Sequence, residues 1–423
     1  MRLTEDEIYR SSTQYRLWSY TADALQSLRS STNASAAQRV KAAVKRQREA
    51  RRESAYNSDA EKRVNGTDSG AVTPAITDKE VECLTVEEEQ KIVNAFCGQA
   101  IALGQFLEFP INVVATGVQY LKRFYLFNSP MTYEPKVIMP SAMFLATKTE
   151  IFHMTAENFA SRLPNTTAEQ VLAPEYLITQ ALRFTFDVRH PFRGLNGGHM
   201  EMAAMANGKA AVLPSANKTP ANLQQAMLKL PLEPNGSSSS MNVRAVEKRL
   251  GEATAKASKT LKTAALLTDV YFLYTPSQIW LAAYLLADEV LTLFYISSKF
   301  EDEADPSTPS GISKSKVIAT VRACAAMLAS HTSMAHATED EIKALEKKEA
   351  EEVKAIQRKL HYCRDPDKMD LVKLNKAQKR DAGTDGKLEE SKAKRRKLER
   401  EKNEKEADEF WGPELPKENV TGK

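Results

Sequence analysis

Apolar residues along this chain recur at three- and four-residue intervals, and no segment alternates convincingly as a strand would. Between Leu84 and Leu103, the residues Ile92, Val93, Phe96, Cys97, Ala100 and Ile101 share one helical face. Thr85 and Glu88 ahead of them have the spacing of a capping box. Pro110 is expected at the first position of a second helix, INVVATGVQYLKRFYLF. Pro135 starts a third, KVIMPSAMFLATK, which is apolar almost all round from Val137 to Ala146 and must be buried on every side. TAENFASRL predicts a short fourth helix capped by Thr155, and Pro174–Phe186 a fifth. The fold class expected is all-α.

The greasiest run, LTDVYFLYTPSQIWLAAYLLA (Leu267–Ala287), has the length of a membrane span. Asp269, Gln278 and the Thr275-Pro276 break divide it into pieces too short to cross one. It reads instead as two helices meeting at a corner, with Thr275 capping the second and Pro276 in its first turn. That second helix resembles the one starting at Pro135. At a constant offset of 141 residues, Pro135/Pro276, Ile138/Ile279, Ala142/Ala283, Leu145/Leu286 and Ala146/Ala287 match. Two Ala/Leu-rich helices can converge by chance; the alternative is a duplicated helical unit with a buried helix at each centre. Alanines suit such a helix because its neighbours must approach closely.

The rest of the pattern divides the chain. Residues 1–30 predict an N-terminal helical arm carrying Tyr15, Trp18, Leu25 and Leu28. Residues 31–79 are rich in Ala, Ser, Arg and Lys, and are expected to be a basic linker containing an exposed helix. The first helical unit spans 80–190. Residues 191–241, rich in Gly, Asn, Ala and Ser, are expected to be an inserted loop, with one helix near Gly198–Ala206. The second unit spans 242–335, opening with a long helix from Met241 to about Tyr274. C-terminal helices follow over 336–380, with an apolar stripe of Ile342, Leu345, Val353, Ile356 and Leu360 able to dock on the body. Residues 381–423 form a charged tail expected to be disordered.

Composition changes this picture little. The 423 residues carry 59 basic and 55 acidic side chains, a formal net charge of +4, which marks no general affinity for nucleic acid. The four cysteines form no paired framework. Cys97 and Cys324 lie in apolar helical runs and read as packed thiols in a reducing compartment. No Walker loop, kinase signature, nucleophile elbow or zinc-ligand spacing is present, so neither a catalytic centre, a cofactor nor a metal is expected. A binding or regulatory protein fits better than an enzyme.

Several segments identify a family. YLKRFYLFNSPMTYEPKVIMPSAMFLATK in the first unit and LTDVYFLYTPSQI in the second resemble the cyclins, and within them the cyclin H group. STQYRLWSY in the arm and IQRKLHYC near the C-terminus extend the likeness. The resemblance implies two tandem five-helix cyclin boxes with additional terminal helices. It also implies a regulatory subunit that binds and activates a cyclin-dependent kinase in the CDK-activating kinase complex, with roles in the cell cycle and in transcription. Implied partners are the kinase catalytic subunit, a RING-finger assembly factor and the subunits of TFIIH. No membrane and no direct nucleic-acid contact are implied, and the location would be nuclear. KAKRRKLER (Lys392–Arg400) fits either a nuclear-localisation signal or a solvated charge run.

In the family, a lysine ending the first box's central helix and a glutamate early in its fifth helix face the kinase. These positions are Lys148 and Glu175 here. The plainer reading of the pair is an intramolecular surface bridge of little energetic value. Cyclins commonly carry K-x-E-E at this point, where this chain reads KTEIF. Glu150 is retained, and Ile151 and Phe152 become either apolar interface or core. The substrate-docking motif of the cell-cycle cyclins is replaced by QKIVNAFCGQAIAL, which implies no such groove. Trp18 and Tyr15 are the expected contacts of the terminal arm. The alternative function is a DNA-binding cyclin-fold protein of the transcription-factor-B type, which shares the duplicated fold and for which the stretch Arg39–Arg52 is basic.

Overall fold

The computed structural model describes residues 9–64, 81–210, 219–234, 236–237, 240–299, 313–332 and 339–376. Among these residues every regular element is a helix. Met1–Met369 form one compact unit; Asp370–Lys423 form another, of which 371–376 are described as helical. The expected tail and Lys392–Arg400 lie outside the described residues.

The first repeat contains α3 (Val86–Phe106), α4 (Ile111–Phe127), α5 (Pro135–Thr149), the short α6 (Ala156–Ser161) and α7 (Ala168–Leu172), and α8 (Glu175–Ala181). Its ends follow from local chemistry. Thr85 accepts from the Glu88 N–H while the Glu88 carboxylate takes the Thr85 N–H, completing the capping box. Thr155 caps α6 as expected. Pro110 sits one position outside α4, as its N-cap. Helix α5 lies at the centre, packed by α3, α4, α7 and α8. Ile138, Ala142, Met143, Phe144, Leu145 and Ala146 are buried on all its sides, as the apolar run required.

The fifth helix is shorter than expected. It stops at Ala181, because Arg183 and Phe184 both take left-handed backbone (φ 53° and 55°). That turn lays the Arg183 guanidinium over Phe127 (4.7 Å) and Trp18 (5.7 Å), a tertiary gain that sequence periodicity does not reveal.

The second repeat corrects the expected domain map. Phe192–Ala206 is a 15-residue helix, α9, with Leu195, Gly198, Met202, Met205 and Ala206 buried. It packs on α11 (Val243–Lys262) and on the central α14 (Pro276–Ala287), and is therefore the first helix of the repeat and not part of a loop. Gly194, which reads as a loop residue, and Gly198, at the start of the short helix expected there, are seats for Trp280. A Cβ at either would lie within 2.5 Å of the indole. The extra chain falls after this helix, between 207 and 242, and carries α10 (Pro220–Leu228).

The long helix expected from Met241 to Tyr274 is broken. It ends at Lys262, and two single turns follow, α12 (Ala264–Leu267) and α13 (Val270–Leu273). Thr263 and Thr268 donate their hydroxyls back to the Lys259 and Ala264 carbonyls at these breaks. Thr275 caps α14 in a capping box with Gln278, and Pro276 takes its first position, as the corner reading expected. Helices α15 (Glu289–Lys299) and α16 (Lys314–Thr332) complete the ring. No described helix is long and apolar enough to cross a membrane.

The arm also differs from expectation. After α1 (Thr13–Trp18), one helix, α2, runs from Ala22 to Val64, so no break separates the arm from the basic stretch. Ala36, Val40 and Ala43 are buried within that stretch, their small side chains letting α2 lie close to the body. Helix α17 (Glu339–Tyr362) docks on α3 through buried Ile356 and Leu360. Leu345 on the same stripe stays 43% exposed.

Arm and repeats are tied by a charged junction. Arg29 of α2 holds Asp269 of the second repeat bidentately (2.7 and 2.8 Å), and Lys122 of α4 approaches it at 3.5 Å. Lys122 also donates to the Thr268 carbonyl. Burial opposes the Asp269 charge, yet Lys122 and Arg29 hold its pKa down at about 2.

Candidate functional site

The C-terminal end of α5 comes to the surface where α8 begins. Lys148, the last basic residue of α5, donates to both carboxylate oxygens of Glu175 at 2.6 and 2.8 Å. Its ammonium lies 4.7 Å from the centre of the Phe144 ring, which supports the charge from beneath. The free chain thus closes the two predicted residues on each other. A surface pair of this kind contributes about 0–1 kcal/mol, so exchanging it for other partners costs little.

The next residues diverge sharply. Glu150 turns inward, accepting from the Thr116 hydroxyl at 2.6 Å. Phe152 packs edge-on against Phe109 with ring centres 5.3 Å apart. Ile151 does neither. It is 78% exposed and sits at φ 57°, a left-handed conformation in which a β-branched residue is strained. The backbone there closes α5 as a Schellman turn, with Phe152 N–H donating to Thr147 and Ile151 N–H to Lys148. Glycine normally fills that position. Here an isoleucine holds a bare apolar side chain three residues beyond Lys148. The two expectations for Ile151 and Phe152 therefore separate: Ile151 faces solvent and Phe152 faces the core side.

Two exposed apolar residues escaped the sequence reading. Leu172 ends α7 at 40% exposure, and Tyr176 follows Glu175 at 62%. Their only signal was the i, i+4 spacing in LAPEY, which also suits a buried face. Both α7 and α8 pack on α5.

Beneath Glu150 a polar chain leads into the second repeat. Thr116 of α4 also meets His190 Nε2 at 2.8 Å, and His190 Nδ1 meets the Tyr271 hydroxyl at 3.1 Å. Burial, and then the Arg123 charge, push the His190 pKa down to about 3, so the ring is neutral.

The arm residues lie elsewhere. Trp18 is fully buried, packing with Leu25, with Leu126 of the first repeat and with Phe272 of the second. Its indole N–H donates to Thr185 at 3.0 Å, and the buried Arg123 guanidinium stacks 4.8 Å from it. Trp18 fastens the arm to both repeats and presents nothing outward. Tyr15 is 40% exposed, with Tyr9 edge-on at 5.6 Å.

Two helical units with buried centres match two family models, the cyclin N-terminal domain over residues 101–187 and the cyclin C-terminal domain over 190–329. Cyclin mcs2 of Schizosaccharomyces pombe is 31% identical over 298 residues, covering 70% of this chain and 75% of that one. The chain belongs to the cyclin family. The second family model begins within two residues of α9, in agreement with its place as the repeat's first helix. Cyclin CCL1 of Saccharomyces cerevisiae is 30% identical over 299 residues, covering 71% of this cyclin; the match spans 63% of that relative, less than two thirds of its length. Among solved structures, a chain of the CAK complex from Chaetomium thermophilum bound to ATP-gamma-S is similar, at 29% identity and TM-score 0.63. It covers 90% of this cyclin and 96% of that chain. The cyclin is of the cyclin H type and resembles the fungal members. Both of these relatives are cyclins by name.

Proposed function

We propose that this cyclin binds the catalytic subunit of a CDK-activating kinase and holds it in its active state. The observation that carries the reading is the end of α5, where the exposed Lys148–Glu175 pair adjoins the strained, solvent-facing Ile151. Leu172 and Tyr176 add apolar surface on the helices packed against α5. A rigid patch of this kind suits a partner helix. Apolar anchors supply the buried area, while Lys148 and Glu175 exchange their mutual bond for groups on the kinase. An activator of this class works as a ligand that selects one conformation. It binds the kinase whose regulatory helix is turned inward, with the Lys–Glu pair that aligns ATP phosphates already formed. The cyclin itself supplies no catalytic group.

The likeness to a chain of the Chaetomium thermophilum CAK complex supports the reading. On the same reading the partners include a RING-finger assembly factor and TFIIH, and the cyclin acts in the nucleus, in cell-cycle control and RNA polymerase II transcription. Tyr15 on the arm is an additional contact candidate; Trp18 serves it by anchoring the arm. The test is reconstitution of the full chain with its cyclin-dependent kinase. Addition of the cyclin should raise phosphorylation of a kinase activation-loop peptide by orders of magnitude. No complex and no activation would sink the reading.

A further inference from the structure

Four residues from four separate segments meet in one hydrogen-bonded line: Glu150 after α5, Thr116 in α4, His190 before α9 and Tyr271 in α13. Thr116 is fully buried and Tyr271 is 3% exposed. The direction of every bond in the line follows from counting protons. The Thr116 hydroxyl has one, committed to Glu150 at 2.6 Å. Toward His190 it must therefore accept, so Nε2 carries the ring proton of the neutral imidazole. Nδ1 is then a bare lone pair and accepts from the Tyr271 O–H. Each link leaves only one arrangement for the next, and losing any one strands a buried polar group.

The two ends of the line are unlike. At one end, Glu150 is the C-cap of α5, directly before Ile151 and two residues after Lys148. At the other, α13 begins after Asp269, which Arg29 and Lys122 grip. The position of the second repeat, fixed by the arm, is thereby passed to the exposed corner of the first. We infer that Thr116, His190 and Tyr271 are positioning residues for the kinase-binding surface, setting the pose of the α5 terminus from the second repeat without touching the kinase. The inference rests on the function proposed above and adds to it a role for the repeat that carries no exposed Lys–Glu pair at its central helix.

The experiment uses the full chain and its kinase subunit, with dissociation constants measured for wild type, Thr116→Val, Thr116→Ser, Tyr271→Phe and the Val/Phe double variant. Thr116→Val and Tyr271→Phe should each weaken binding about fivefold, the worth of one hydrogen bond. The double variant should lose no more than either alone, because both cut the same line. Thr116→Ser, which keeps the hydroxyl, should bind as wild type does. Unchanged binding in either single variant, or a double loss equal to the product of the singles, would overturn the inference. The Ile151 δ1-methyl NMR signal of the free cyclin provides a readout that needs no kinase. It should move in Thr116→Val and in Tyr271→Phe and stay in place in Thr116→Ser; a signal unmoved in Tyr271→Phe would contradict the inference. If wild type fails to bind any kinase, the proposed function falls, and the methyl signal still decides whether the line positions this corner.

Discussion

The central helices α5 and α14 have matching sequences and opposite ends. Counting the same 141 residues along, Lys148 corresponds to Glu289 and Ile151 to Thr292. Ile151 is 78% exposed and strained, while Thr292 is fully buried and donates to the Asp288 carbonyl at 2.8 Å. The α14 end is sealed from within. Asp288 caps the next helix through the Leu291 N–H and takes two bonds from Arg249, at 2.6 and 2.9 Å. Glu289 is spoken for by Arg322. The duplicated scaffold thus offers two equivalent corners, one closed by the cyclin's own side chains and the other left with strain and bare apolar surface. The turn that closes α5 requires the left-handed backbone but not an isoleucine, and a β-branched side chain kept where glycine would be unstrained suits a use outside the chain.

The largest effect that separates the corners is on stability. Arg249→Ala leaves the half-buried Asp288 carboxylate with only the Leu291 N–H and should destabilise the free cyclin by about 2–3 kcal/mol, read from chemical denaturation. Kinase affinity of the folded protein should not change. A loss of affinity with stability intact would mean that the second corner is also an interface. Next in size, Ile151→Gly should act in opposite directions on the two readouts. Removing a left-handed β-branched residue should raise stability by about 1 kcal/mol, while losing its side chain should weaken kinase binding about tenfold. Stabilisation without loss of binding would make Ile151 a bystander.

These predictions rest on features the sequence revealed unevenly. The caps at Thr85, Thr155 and Thr275, the buried central helices and the Lys148–Glu175 pair were legible because each depends on spacing within one or two segments. Helix α9 was not. Its glycines carry the composition of a loop, and their purpose appears only when Trp280 is laid against them. The continuous α2 was hidden for a related reason: Ala36 and Ala43 bury little area each, so the stretch looked solvated. The strain at Ile151 depends on a backbone angle that no side-chain pattern encodes. The line from Glu150 to Tyr271 joins residues 121 positions apart through two others, with no motif linking them.

A separate check, read on stability alone, is whether exposure at the α5 terminus is local and the first repeat otherwise tightly packed. Glu89 of α3, in the same repeat, is buried, and its pKa is pushed up to about 7 by desolvation, against the hydrogen bonds of Ser129 and Asn33. The folded state then holds a proton that the unfolded chain releases near its ordinary value of 4.5. Stability from this group is present at acid pH and is lost as pH rises from about 4.5 to about 7, an effect of up to about 3 kcal/mol. Glu89→Gln should flatten that part of the pH profile and make the cyclin more stable at pH 8. An unchanged profile would show the carboxyl to be solvated and the repeat looser than described.

The claim that one corner of the duplicated fold binds the kinase is tested most directly by affinity at matched positions. Lys148→Glu and Glu289→Lys reverse charge at the two positions paired by the 141-residue offset, one in the last turn of α5 and one at the start of α15, just past α14. Dissociation constants for the cyclin-dependent kinase should rise about 100-fold for Lys148→Glu, the scale of an interface hot spot, with the helical circular dichroism signal unchanged. For Glu289→Lys they should stay at the wild-type value. Equal losses in both variants, or wild-type binding by Lys148→Glu, would contradict the account.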